Sequence, residues 1–385
     1  MRSQGRLCES PPNYIICGNP AEVRRMWGVR SEWDRSPWYK GFFQLDPPER
    51  LHAIQAGSGH TQVAKFIRLI ESKYLCTDTE LRPVDIARKV QYLTLDVIST
   101  IAFGAGVAAA HADDCSAARV ASPKKSSQSD MDQNKITKPD MLGSFVAHGL
   151  SQRDAEAESL VQIVAGSDTT ATTLRIALLL LTTSPKTYTT LASEIDRAIS
   201  QSRISSPVTD AEARALPYLQ ACIKECFRFW PPITGIMPRI CPREAMVCGV
   251  KVPGGYELFG GDAEVFSPGR WLERREFSQD ESNGEREAER VNVNRMERTV
   301  ELVFGQGKWG CLGKPISLLE INKVLVELLR RFDFAILNPA HPMDTFNYGV
   351  SMQKKFVYED ITADVCSSAE SLGGCGLGGH IFISI

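Results

Sequence analysis

Apolar side chains recur at helical spacing along much of this chain, and the elements they predict can be read in order. A short helix is expected over residues 21–29, ahead of loops marked by Pro37, Pro47 and Pro48. In 61–74, Val63, Phe66, Ile67 and Ile70 fall on one helical face, and in 84–102 Ile86, Val90, Leu93, Val97 and Ile101 do the same. Both read as core helices. Residues 105–138 carry Ala, Ser, Asp and Lys with almost no large apolar side chains, the composition of a mobile loop. A helical region opens at 141–148 and runs through 155–181, the longest helix expected. Ser151 and Asp154 mark its start, and Leu160, Ile163, Val164, Ile176 and Leu180 form its buried face.

Further on, 191–200 and 220–230 are amphipathic helices, and prolines extend 231–239. A turn at 252–255 closes a small β-hairpin, 278–298 is a charged, solvated excursion, and 299–303 is a short extended segment. After Pro315, Ile316, Leu319, Lys323, Val326 and Leu329 again follow helix spacing. An apolar run over 332–337 ends at Asn338, and the Gly/Ser content of 367–379 cannot build a core. The pattern is mainly α with minor β-hairpins.

Composition narrows the function. The chain has 385 residues, with 44 Lys and Arg against 46 Asp and Glu, so no bulk charge calls for nucleic acid as a partner. Eleven cysteines without a C-x-x-C pair do not suit a zinc ribbon or redox dithiol, and reduced intracellular thiols are expected. The longest purely apolar run, 176–181, is too short to span a bilayer, and no membrane anchor is expected in the chain. G-x-S-x-G, H-E-x-x-H and Walker-type loops are absent, which removes the commonest hydrolase and NTPase chemistries.

One loop stands apart. Residues 304–313 present Cys311 among Gly305, Gly307, Gly310 and Gly313, immediately before the helix that Pro315 opens. Unpaired N–H groups at a helix start favour a thiolate. Gly305-x-Gly307-x-x-Gly310 also satisfies the dinucleotide fingerprint, but the βαβ units and acidic residue that this fold needs do not follow. The other reading is a thiolate iron ligand, with Phe304 packed on the loop and Gly307 and Gly313 letting the backbone turn around sulfur. Ala165-Gly166-Ser167-Asp168-Thr169-Thr170 places small and hydroxyl residues within the longest helix, where close helix packing is the plain explanation. Glu225 and Arg228 share a helix face at i and i+3, and Phe266-x-Pro268-x-Arg270-Trp271 supplies a second arginine downstream.

In this order the motifs resemble those of the cytochrome P-450 superfamily, over roughly residues 11–350, and most closely its fungal, pisatin demethylase-like branch. The resemblance implies a helical haem domain with small β-hairpins, lacking several family segments, followed by a poorly structured tail over 351–385. It implies haem b bound through Cys311, with Phe304, Gly307, Gly313 and Lys308 in the ligand loop and Arg239 on a haem propionate. Gly166 would leave room for dioxygen, and Asp168 and Thr169 would relay protons. Glu225, Arg228 and Arg270 become a structural ionic triad, and Ile233, Thr234, Ile236 and Met237 substrate-pocket residues. The partners implied are an NADPH-dependent flavoprotein reductase, dioxygen and a small apolar organic substrate.

The reaction implied is monooxygenation, by hydroxylation or oxidative O-demethylation, in secondary metabolism or detoxification. The place implied is the cytosolic face of the endoplasmic reticulum, or the cytoplasm in the absence of an anchor. Besides the expected lack of an N-terminal membrane helix, the chain departs from the family pattern in four places. No Trp-x-x-x-Arg helix follows Gly57, 105–138 stands where helices roof the substrate pocket, only Phe-Gly-Gly separates Leu258 from Asp262, and Trp309 stands two residues before Cys311. The alternatives are an inactive haem-binding remnant, a haem-thiolate enzyme that rearranges or dehydrates its substrate without external electrons, and a NAD(P)-binding oxidoreductase.

Overall fold

A computed structural model describes residues 8–10, 14–16, 20–31, 33–35, 57–77, 80–103, 141–147, 149–233, 239–240, 265–272, 283–307, 310–336, 343, 345–347, 351–353 and 379–384. In chain order its elements are β1 (Cys8–Ser10), β2 (Tyr14–Ile16), α1 (Pro20–Trp27), β3 (Asp34–Arg35), α2 (Gly57–Lys73), β4 (Val84–Asp85), α3 (Ile86–Phe103), α4 (Met141–Ala147) and α5 (Gln152–Thr182). There follow α6 (Pro185–Ser200), α7 (Asp210–Arg214), α8 (Pro217–Phe229), β5 (Arg239–Ile240), α9 (Asn283–Val300), α10 (Lys314–Leu329), β6 (Phe332–Ile336), β7 (Thr345–Asn347), β8 (Ser351–Gln353) and β9 (Gly379–Ser384). Short 3-10 turns stand at Pro268–Trp271 and Glu301–Phe304. The loop expected over 105–138 and the turn at 252–255 lie outside the described residues.

The chain divides into two units. The first comprises Met1–Gln44 and Pro217–Lys314. Here β1 and β2 pair antiparallel, as do β3 and β5, with Asp34 opposite Ile240 and Arg35 opposite Arg239. Helix α8 buries Leu219, Cys222, Ile223, Cys226 and Phe227. Two expectations give way in this unit. From Asn283 on, the charged run and the segment 299–303 are not an excursion followed by a strand. They form α9 and the 3-10 turn that continues it, and that turn ends at Gly305 with φ 68°. The β-branched residues Thr299, Val300 and Val303 suggested extension, and the preceding helix overrides that local preference.

The second unit comprises Leu45–Leu216 and Pro315–Ile385. Its core is carried by α5, whose residues from Thr170 to Leu181 are all buried, as a helix enclosed on every side requires. Phe66 and Ile70 of α2, Leu93 of α3, Leu191 and Ile195 of α6, and Val324 and Leu325 of α10 are buried completely or nearly so. Each such side chain contributes roughly 1.5–3 kcal/mol. Leu160 and Val164, expected on the buried face of α5, are instead exposed; in this stretch the buried positions are Ala155, Glu158, Ser159 and Ser167, on another face of the helix.

The start of α5 is capped as expected, Ser151 Oγ accepting the Asp154 N–H. Polar anchors tie α10 to the chain before α8: the Val208 N–H donates to Glu327 at 2.7 Å, and the Asn322 amide donates to Asp210 at 3.0 Å. Strands β4, β9 and β6 form a parallel sheet with β9 at its centre. The tail expected to lack structure thus supplies a strand, where Ile381, Phe382 and Ile383 form a short β-prone run behind the glycines.

Candidate active site

The loop that follows Phe304 is built on backbone constraints. Cys311 donates its N–H to the Phe304 carbonyl at 2.6 Å and Gly310 donates to Gly307 at 3.1 Å, so the intervening residues form a closed turn. Gly305 and Gly307 have φ of 68° and 64°, the left-handed region that favours glycine. At Gly307 a Cβ would stand 2.1 Å from the Trp27 carbonyl oxygen, so no other residue fits. Gly313 is different: a Cβ there would meet the Cys311 sulfur at an ordinary 3.7 Å. Phe304 packs edge-on against Phe227 at 5.1 Å, and Lys314 lies 5.5 Å over the Phe304 ring while pairing with Glu301 at 3.3 Å.

Among the cysteines whose side chains are described, Cys311 is the exposed one, whereas Cys222 and Cys226 are buried. Burial pushes the Cys226 thiol up, and the Glu225 charge adds to it, so that sulfur stays protonated. Cys311 is reachable by solvent, yet the protein mass around its sulfur also raises its pKa. The backbone N–H groups of Gly313 and Lys314 and the Lys314 charge pull it only partly back. The free thiol is therefore not the thiolate that the helix start suggested. Metal ligation would supply the positive charge that favours loss of its proton.

This donor set fits haem. One reachable sulfur on a closed glycine turn, with backbone N–H groups directed at it, is the donor that a single-thiolate iron cofactor needs. The fingerprint glycines follow a 3-10 turn rather than a strand, which removes the structural context of a dinucleotide loop.

In the same unit Glu225 is fully buried and collects five hydrogen bonds. Arg228 grips it with Nε at 2.8 Å and Nη2 at 2.7 Å, Arg270 Nε donates at 3.0 Å, and the Ser267 N–H and Trp271 Nε1 each donate at 2.8 Å. Both arginines, 7% and 6% exposed, also donate to the Val265 carbonyl at 3.0 Å. The charges are thus paired and backbone oxygen takes a further donor of each arginine, as burial demands. Sequence reasoning named the two arginines. It did not assign Trp271 to the carboxylate, although that residue closes the motif.

In the second unit Gly166, Ser167 and Asp168 of α5 meet α3. A Cβ on Gly166 would stand 2.7 Å from Ile98 Cγ1, so glycine here permits close helix packing. Thr94 Oγ1 donates to the Ser167 carbonyl at 2.9 Å across the same interface. Asp168 accepts from Gln91 Nε2 at 2.6 Å, and Thr169 Oγ1 donates back to the Ala165 carbonyl at 2.8 Å. Thr170 Oγ1 donates to Ser317 Oγ of α10 at 3.1 Å. Ile233 is half-buried in an isolated bridge position. Lys308, Thr234, Ile236, Met237 and the Arg239 side chain lie outside the described residues.

Comparison with known proteins completes the description. The family model described as Cytochrome P-450 matches residues 117–358. The cytochrome P-450 monooxygenase ABA1 of Pyricularia oryzae is 33% identical over 432 positions, covering 89% of this chain and 81% of its own. The protein aba1 of Botryotinia fuckeliana is 29% identical, covering 92% and 84%. Pisatin demethylase of Fusarium vanettenii is 33% identical over 190 residues, 46% of this chain and 33% of its own. A crystal structure of a cytochrome P-450 shares the fold at a TM-score of 0.64 and 16% identity, covering 91% of this chain and 93% of that one.

Proposed function

Because the chain belongs to the cytochrome P-450 family and is a monooxygenase of that class, we propose that it hydroxylates or oxidatively O-demethylates a small, largely apolar organic compound. A role in fungal secondary metabolism or detoxification accords with relatives such as pisatin demethylase. The observation that carries this reading is the Cys311 loop, a closed glycine turn that holds one reachable sulfur with two N–H groups directed at it.

Haem b held through Cys311 supplies the activation of dioxygen with two electrons, so that one oxygen atom enters the substrate and the other leaves as water. Cys311 gives up its proton on ligation and is steadied by the Gly313 and Lys314 N–H groups. Phe304, Gly307 and Gly313 shape the loop beside it, with Lys308 as its basic residue, and Arg239 holds a haem propionate. Glu225, Arg228 and Arg270 form the buried brace of this unit.

Ile98 takes the place of the missing Gly166 side chain, so dioxygen would lie beside the Gly166 backbone, while Asp168 holds and passes protons and the Thr169 hydroxyl carries them onward. Ile233, Thr234, Ile236 and Met237 line the substrate pocket. NADPH provides the electrons through a flavoprotein reductase. We place the protein at the cytosolic face of the endoplasmic reticulum, with the cytoplasm as the alternative. Among the described residues one helix, within α5, is long and apolar enough to cross a membrane, and 67% of its most apolar stretch is buried inside the protein.

The test is the carbon monoxide difference spectrum of the reduced, haem-supplied protein. A strongly red-shifted Soret band is expected, lost in Cys311→Ala and kept in Cys222→Ala and Cys226→Ala. A thiolate-type band surviving in Cys311→Ala would overturn the ligand assignment. A second reading, an inactive family remnant, draws on the length of the alignment with ABA1. At 432 positions it exceeds this chain's 385 residues, so that relative carries internal segments without counterpart here. Failure to take up haem at all would favour this second reading.

A further inference from the structure

We propose that Gln91 and Arg175 are positioning residues that hold the Asp168 carboxylate in place for proton transfer, with the Gln91 amide as a neutral spacer between the two charges. The inference rests on the reading of Asp168 as a proton carrier. Arg175 stands two helical turns beyond Asp168 on α5 and is only 7% exposed. Its guanidinium is tied to α3 twice, by Nε to the Ala87 carbonyl at 3.0 Å and by Nη2 to Gln91 Oε1 at 2.5 Å. The other end of the same amide, Nε2, donates to Asp168 Oδ1 at 2.6 Å.

The orientation of that amide follows from chemistry. A guanidinium can only donate and a carboxylate only accept, so Oε1 must face Arg175 and the NH2 group must face Asp168. The interface is locked in this register by the Gly166 contact with Ile98 and by the Thr94 bond to the Ser167 carbonyl.

The spacer has a consequence for proton transfer. A direct, two-pronged arginine clamp would engage both carboxylate oxygens. Through Gln91, Arg175 fixes the position of one oxygen while leaving the other to exchange protons. Burial lowers the Arg175 pKa to about 10, against the attraction of Asp168 and Asp85, so it remains a cation at neutral pH. A packing role alone would require only shape at position 91, and leucine supplies nearly the same shape.

The experiment uses Gln91→Leu, Asp168→Asn, Asp168→Ala and two double variants, in the full chain. With haem, reductase and NADPH, the fraction of electrons that leaves as hydrogen peroxide is measured; this is dioxygen that has taken two electrons and two protons without oxidising substrate. Gln91→Leu is expected to change this fraction severalfold in the same direction as Asp168→Asn, the Gln91→Leu/Asp168→Asn double variant to add nothing further, and the carbon monoxide Soret band to stay in place. If Asp168→Asn changes the fraction and Gln91→Leu does not, the positioning role is overturned while the proton reading stands. If Asp168→Asn changes nothing, the proton reading falls and the positioning role with it. Urea unfolding of the same chains without haem gives an independent readout. Gln91→Leu and Asp168→Ala are expected to be non-additive in a double-mutant cycle, and strict additivity would overturn the contact itself.

Discussion

Glu225 accepts from four residues, and the arrangement separates two kinds of ion pair that look alike in sequence. Arg214 and Asp210 also pair at i and i+4, but on the surface, where such a pair is worth about 0–1 kcal/mol. Removing Glu225 strands two arginines that are almost wholly buried, and breaking a buried network from one side costs about 3–5 kcal/mol. Glu225→Ala is therefore expected to lower the urea midpoint severely. Asp210→Ala, which also loses the Asn322 bond, should cost far less. Comparable losses in the two variants would show that the Glu225 cluster is no more than a satisfied surface pair. The same contrast applies to cysteine: burial makes Cys222 and Cys226 inert, and exposure on a glycine-built loop leaves Cys311 open to a metal.

At the scale of the element, Gly166 sets two known effects against each other. Alanine in mid-helix is favoured over glycine by about 1 kcal/mol, while overpacking a tight contact costs about 1–3 kcal/mol. With Ile98 Cγ1 at 2.7 Å and Cδ1 at 2.8 Å from the added methyl, crowding should win, and Gly166→Ala is expected to be destabilising. In an Ile98→Ala background the obstruction is gone, and the same change should become stabilising. A destabilising effect of equal size in both backgrounds would place the demand for glycine somewhere other than α3.

The helices were legible because their apolar positions follow the helical period, and Ser151 capped α5 where its spacing with Asp154 placed the start. Residues 299–303 were not legible, since β-branched side chains suggest extension wherever the flanking helix is ignored. The cysteine loop and the Glu-x-x-Arg pair lie in short, local patterns. Gln91 and Arg175 had no such signal: they meet across 84 residues only through the register of α3 on α5.

Over the whole chain, stability against pH should carry the mark of one group. Glu320 on α10 is 2% exposed, and among the described residues its Oε2 has no hydrogen-bond partner. Burial without compensation holds its pKa well above the ordinary carboxylate value of 4.5. Above that value the unfolded chain has lost a proton that the folded chain still holds. The folded state then binds more protons, and the free energy of unfolding must fall as pH rises, by about 1.4 kcal/mol per pH unit, until the raised folded pKa is passed. Below the ordinary value both states are protonated and the neutral acid imposes no such loss.

Glu320→Gln keeps the shape and cannot titrate. The variant is thus expected to match the natural chain near pH 4 and to exceed it in stability at pH 7, the gap opening above the ordinary carboxylate value until the raised folded pKa is passed. Other carboxylates titrate in this window, Asp85 among them, but they are common to both chains and cancel in the difference. Urea unfolding at several pH values measures the gap directly. A difference independent of pH would mean that Glu320 is ionised in the folded protein and that a partner for it exists beyond the described residues.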